Sequence, residues 1–220
     1  MRIFNGDCPR RLPATIGAPD RRHILGAMLL ALALVLPSAG SIAAADQDSE
    51  AFIRDLGSKA VGQLTDDALS DAERSDRFRA LLLEHFNVPE IGKYVLGRYW
   101  RSATEEERAE YLELFEDYLV VSYARRFAEY TGEKFEVSSS RTESSGLELV
   151  RSFVITDGGE KAKLDWILER QDGSLQILDI KVEGLSLSET HRSEFASVIQ
   201  NSGGKVAGLI DALRKKTGGA

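Results

Sequence analysis

The sequence predicts an α+β domain: helices packed on one face of a curved, four-stranded antiparallel sheet. Three observations lead there. Apolar residues recur at three- and four-residue steps over residues 49–131, then at two-residue steps from Glu133 to Val182, and at helical steps again beyond. Glycine-bearing turns, Asp157-Gly158-Gly159 and Asp172-Gly173, divide the second stretch into short strands suited to hairpin pairing. Between residues 46 and 220 no internal repeat or linker marks a second domain.

In the helical part, Ala51, Phe52, Leu56, Ala60 and Leu64 outline a first amphipathic helix. A second runs from Arg77 to Phe86 and ends before Pro89, whose ring holds Val88 extended. A short helix carries Ile91, Val95 and Leu96 and is interrupted by Gly97. Thr104 and Glu107 form a capping box for the longest helix, expected to reach about Tyr130 and stop at Gly132. Its apolar surface, from Tyr111 and Phe115 to Leu119, Tyr123 and Phe127, is broad enough to predict burial on more than one side.

Phe135 and Val137 open the first strand, and Leu147, Leu149, Phe153 and Ile155 line the second. The third alternates Leu164, Trp166 and Leu168 with Lys163, Asp165 and Glu169, which predicts one wet face and one covered by helices. The fourth runs from Leu175 to Val182. Ser188 is expected to cap the next helix, which carries Phe195, Val198 and Ile199. Gly203-Gly204 separates it from the last, with Val206, Leu209, Ile210 and Leu213.

Residues 1–45 read as an export signal. Arg10, Arg11, Arg21 and Arg22 precede an apolar run, Ile24 to Leu36; Pro37, Ser38 and Gly40 break it, and Ala43-Ala44-Ala45 offer the small side chains a signal peptidase needs. The run is shorter than the roughly 20 residues that span a bilayer, which favours cleavage after Ala45 over a permanent anchor. Arg21-Arg22-His23-Ile24-Leu25 also resembles the twin-arginine motif, so both that route and the general secretory route stay open. The expected mature domain is 46–220.

Composition excludes several functions. Beyond residue 45 there are 23 basic and 33 acidic side chains, a net charge of −10. That argues against nucleic-acid binding, in which basic surface supplies most of the affinity. Cys8 is the sole cysteine and lies in the signal, so the mature chain has neither a disulfide nor a thiol nucleophile. His85 and His191 are isolated, which speaks against a metal site. No nucleophile elbow, phosphate loop, HExxH or dinucleotide fingerprint is present. Asp165 and Asp179, on neighbouring strands, are the one carboxylate pair that could do acid–base work. The structural alternative puts Asp165 in its strand's exposed alternation and lets Asp179 accept a hydrogen bond from an arginine or a backbone amide.

Several segments together resemble the MlaC family of periplasmic phospholipid-binding proteins, also called the toluene-tolerance family. They are Phe86-Asn87-Val88-Pro89-Glu90-Ile91 with Val95-Leu96-Gly97-Arg98-Tyr99-Trp100, and Thr104 to Arg108 leading into Phe115 and Tyr123-Ala124. Asp179-Ile180-Lys181-Val182-Glu183-Gly184-Leu185-Ser186-Leu187 follows, then Arg192, Phe195, Val198-Ile199 and Gly203-Gly204. In one departure, Leu175-Gln176 stand where the family usually has Trp-Lys.

The resemblance implies a non-enzymatic carrier with no cofactor, holding a phospholipid's acyl chains in an apolar pocket between sheet and helices. It further implies a shuttle in the periplasm between an outer-membrane lipoprotein complex and an inner-membrane ABC transporter, serving outer-membrane lipid asymmetry. A hopanoid or another apolar lipid is the alternative cargo, and a small cone-fold enzyme using Asp179 the alternative class. The expected lipid-binding residues are Ile91, Val95, Leu96, Tyr99, Phe115 and Leu119 from the helices, Phe153, Trp166 and Ile180 from the sheet, and Phe195. Each of them also fits plain core packing.

Overall fold

The structure is a computed structural model that describes residues 40–218, with side chains from Gln47 onward. The expected export signal lies outside the part whose side chains are described. Among the described residues, four helices come first: α1 Gly40–Leu64, α2 Asp71–His85, α3 Val88–Leu96 and α4 Glu105–Tyr123. Five strands follow: β1 Lys134–Thr142, β2 Glu148–Ile155, β3 Lys161–Gln171, β4 Ser174–Val182 and β5 Leu185–Ser186. Helices α5 Leu187–Asn201 and α6 Val206–Thr217 close the chain.

The sheet is an antiparallel meander in the order β1-β2-β3-β4-β5. Its hairpins follow from their turn residues. Asp172 and Gly173 both adopt positive φ, at 49° and 84°, as a two-residue turn between β3 and β4 requires. Glu183 and Gly184 do the same at 49° and 86°, pairing Val182 with Leu185 and creating the short fifth strand. Four strands were expected. Glu is an unusual first residue for such a turn, so the sequence carries little sign of this hairpin. The pairing skips Ser138 in β1 and Leu178 in β4, two bulges that curve the sheet.

Several helix boundaries differ from expectation. Val88, expected to be extended ahead of Pro89, is instead the first residue of α3, because Asn87 caps that helix by accepting from the Glu90 N–H at 3.3 Å. α2 starts at Asp71 rather than Arg77, behind a capping box made by Ser70 and Glu73. The charged Arg74 disguises this first turn. It is buried, and its guanidinium donates to the carbonyls of Leu64, Asp66 and Leu69, so it satisfies the end of α1. α4 ends at Tyr123 and the chain continues as a 3-10 helix, Ala124–Glu129. Tyr123 and Phe127 keep a four-residue spacing through the change, and Phe127 packs on Phe78 with ring centroids 5.9 Å apart. α5 is capped by Ser186, whose hydroxyl oxygen accepts from the Glu189 N–H at 3.0 Å. Ser188 instead is buried in the first turn and donates to the Leu178 carbonyl at 3.4 Å.

The apolar interior is split. One cluster joins α2 to α6, around Tyr111, Phe115, Phe195, Ile199 and Leu209. The other joins α1 to the inner sheet face, around Ile53, Leu56, Val150, Leu168 and Ile177. Gly92 lets α3 approach α4: a Cβ there would stand 2.7 Å from Leu112 and 3.1 Å from Phe115.

On β2 the inner face carries Val150, Ser152 and Val154, which lie opposite Trp166, Leu164 and Ala162 of β3. Leu149, Phe153 and Ile155 therefore point to the other face, opposite Ile167, Lys163 and Lys161. Apolar residues of both parities made this register illegible in the sequence, and a one-residue error turns every side chain over.

Asp165 is on that outer face, as its alternation predicts, but it is buried rather than exposed. Arg151 covers it with two hydrogen bonds, of 2.7 and 3.2 Å. Hydrogen bonding to Arg151 holds the Asp165 carboxyl below the usual carboxylate range. A depressed native pKa stabilises the fold above the unfolded value and is lost as pH falls through the native one. Asp165→Asn should therefore cost about 1–2 kcal/mol at neutral pH. In urea titrations the gap to wild type should hold from pH 8 to 5 and close below about pH 4.

Candidate functional site

Between the two apolar clusters lies a cavity of about 350 Å³, open to solvent on one side. Leu56, Gly57, Ala60, Val61 and Leu64 of α1 form one wall, a stripe at three- and four-residue spacing. Phe78, Leu81 and Leu82 of α2, Ile91 of α3, and Phe115, Leu119 and Tyr123 of α4 form the opposite side. Phe135, Val154, Leu164, Trp166 and Ile180 supply the sheet wall, and Leu187 and His191 of α5 complete it.

Phe135, Val154, Leu164 and Leu187 are half-buried, and the first three sit where β1 begins, β2 ends and β3 begins, at one end of the sheet. Phe127 and Tyr130 also line the cavity. Leu64, Leu82, Phe115 and Leu119 are buried and line the interior. At Gly57 an added Cβ would meet the Phe135 ring at 2.5 Å, so glycine lets α1 lie close to the sheet there.

The wall is apolar because its few polar groups answer one another. The Tyr123 hydroxyl lies 2.8 Å from His191 Nε2, while Nδ1 faces Glu194 Oε2 at 3.2 Å and the Tyr118 hydroxyl at 3.4 Å. Burial pushes the Tyr118 and Tyr123 phenols up, which keeps them neutral. Trp166 Nε1–H donates to Ser152 Oγ at 2.8 Å. Asp179 Oδ1 accepts from the Ser188 N–H at 3.0 Å and so serves the start of α5. Asp165, opposite Lys181, belongs to Arg151, while Asp179 stands opposite Ile167. The two carboxylates thus have separate partners and form no acid–base pair.

Of the residues expected to hold a lipid, Ile91, Phe115, Leu119, Trp166 and Ile180 border this cavity. Val95, Leu96 and Phe195 do not. They are buried in the helical cluster, where Phe195 meets the Tyr111 and Phe115 rings edge-on. Tyr99 lies on the 3-10 segment Gly97–Arg101, outside the cavity. Phe153 is on the outer face of β2, away from the cavity, with the Lys161 ammonium 5.9 Å from its ring. The α1 and α2 walls went unread as a site because an amphipathic helix looks the same whether its stripe meets a core or a void.

Residues 55–215 match the sequence model of the family described as MlaC protein. The chain belongs to the MlaC family. Two members are similar in sequence. The toluene tolerance protein Ttg2D of Pseudomonas putida is 24% identical over 114 residues, covering 52% of this chain and 53% of that protein. The intermembrane phospholipid transport system binding protein MlaC of Haemophilus influenzae is 21% identical over 126 residues, covering 56% and 59%. The chain thus spans little more than half the length of either relative.

In structure it resembles the phospholipid-binding protein of Ralstonia solanacearum, solved in complex with a phospholipid, with a TM-score of 0.69 and 23% identity. That match covers 77% of this chain and 96% of the other, and it establishes an MlaC-like α+β fold. Among the described residues no helix is long and apolar enough to cross a membrane.

Proposed function

We propose that this MlaC-family chain is a periplasmic phospholipid carrier. The cavity carries the reading: a large apolar void separates two halves of a core that a protein without cargo would close. Interiors normally pack as densely as organic crystals, so a wall of apolar side chains that do not close on one another forgoes contacts. A lipid's acyl chains would replace them. Each methylene in water costs about 0.8 kcal/mol, and a 16-carbon chain on the order of 12 kcal/mol, so unassisted crossing of an aqueous space is slow.

The cargo's apolar part would lie against Leu119, Phe115, Ile91, Trp166 and Ile180, with its head group at the end marked by Phe135, Val154 and Leu164. Such a task needs no base, metal or nucleophile. The names of the H. influenzae and R. solanacearum proteins support phospholipid as cargo, and the former an intermembrane transport system as setting. The partners in that setting would be an inner-membrane ABC transporter and an outer-membrane lipoprotein complex. Residues 1–45 would direct export, leaving 46–220 as the lipid-binding domain. Mixing that domain with donor vesicles containing a fluorescent phospholipid tests the reading. It should draw lipid out and deliver it to acceptor vesicles, and failure to extract any would refute it.

A further inference from the structure

We infer that Ser152 and His191 are positioning residues that make the cavity selective for acyl chains without polar substituents. Aromatic side chains with polar ends form part of the wall, yet almost no polar atom is exposed inside it. Each polar end is turned to a protein partner instead. The Trp166 indole N–H donates to Ser152 Oγ at 2.8 Å. Ser152 is fully buried and does not border the cavity, whereas Leu164 opposite it and Val154 two residues on both do. The hydroxyl thus holds the indole N–H immediately behind the wall.

His191 does the same for Tyr123. Glu194 Oε2 lies 3.2 Å from His191 Nδ1, and a carboxylate only accepts, so in the neutral imidazole Nδ1 carries the hydrogen. Nε2 is then bare and accepts from the Tyr123 hydroxyl at 2.8 Å. The other polar groups of the lining are tied in the same way. The Tyr130 hydroxyl donates to the Glu133 carbonyl, and the Glu133 carboxylate accepts from the Thr131 N–H at 2.9 Å. Ser188 gives its hydroxyl to the Leu178 carbonyl and its N–H to Asp179.

A chain of methylenes loses nothing against such a wall. A hydroxyl on that chain finds no partner there, and burying an unpaired polar group costs more than a satisfied one gains. In a bilayer the same hydroxyl can bend back to the wet interface. The cavity therefore leaves hydroxylated lipid behind, a specificity that comes from the partner it withholds.

The proposal rests on the carrier reading, and the test separates the two. Wild type, Ser152→Ala, Ser152→Thr and His191→Phe are each offered vesicles holding equal amounts of stearoyl and hydroxystearoyl phosphatidylcholine, the latter as a ladder of positional isomers. Mass spectrometry of the extracted lipid gives the ratio of hydroxylated to plain cargo. All proteins draw on the same vesicles, so the bilayer's own preference cancels when ratios are compared. Wild type should disfavour the hydroxylated lipid at least threefold. Ser152→Ala, which frees the Trp166 N–H, and His191→Phe, which frees the Tyr123 hydroxyl, should each raise the ratio at least threefold for one or more isomers. Ser152→Thr keeps a hydroxyl and should retain the wild-type ratio. Ser152→Ala/Trp166→Phe, with no indole N–H left to free, should regain it.

A merely structural role for Ser152 would change extraction of every chain together and leave the ratio alone. His191→Phe keeps the Ser152–Trp166 bond, so the two single variants test the idea independently. Equal extraction of plain and hydroxylated lipid by wild type would overturn the proposal, as would ratios that stay at the wild-type value in both single variants. Failure of wild type to extract any phospholipid would instead defeat the carrier reading.

Discussion

Ala60→Trp is expected to lower phospholipid affinity by at least tenfold while the protein keeps its fold. Ala60 is on the α1 wall, half-buried, one turn from Leu56 and Leu64 and facing the void. An indole buries on the order of 200 Å² of surface, about that of six methylenes. Placed in the cavity it takes the volume acyl chain would occupy, and at about 0.8 kcal/mol per methylene the loss is on the order of 5 kcal/mol before the lipid shifts to recover part of it. Because the side chain enters empty space, overpacking strain is small and the melting temperature should stay within a few degrees of wild type. Vesicle extraction read beside circular dichroism checks both halves. Full extraction by the folded variant would show that the α1 wall does not face the cargo.

Phe115→Ala tests the opposite case, in which a wall residue is also a keystone. Phe115 is fully buried, stacks on Tyr111 with ring centroids 5.7 Å apart, meets Phe195 edge-on at 6.1 Å, and lines the cavity on its other side. Removing such a ring costs about 3–5 kcal/mol through lost burial and the hole left behind. In a domain of this size each kcal/mol moves the melting temperature by roughly 2–4 °C, so a drop of about 10 °C is expected. Thermal scans with and without lipid would separate the contributions. Cargo that binds only the folded state raises the midpoint, and should raise it less when Phe115 is missing.

Much of this fold was written in local chemistry. The Thr104–Glu107 box, the Asp172-Gly173 turn and the change of period at Glu133 placed elements because each rests on a few adjacent residues. Features decided by distant contacts stayed hidden. Arg74 looks like a surface charge until α1's carbonyls meet it, and Glu183-Gly184 looks like a loop until β5 pairs.

The lining of the cavity was half legible for the same reason. Trp166 and Ile180 stood out on strands whose polar alternation told inside from outside. Phe153 misled because β2 is apolar on both faces. Val95, Leu96 and Phe195 carry the same periodicity as Ile91 and Phe115, and only tertiary packing decides which apolar stripe meets protein and which meets a void. Family resemblance pointed to a pocket without saying which of these residues face it.

Native mass spectrometry of residues 46–220, purified from a bacterial periplasm and followed by lipid extraction, tests the central claim most directly. The account predicts co-purified diacyl phospholipid at about one molecule per chain, lost together with the mass shift when the protein is delipidated. A clean, lipid-free chain that also takes nothing from phospholipid vesicles would contradict it.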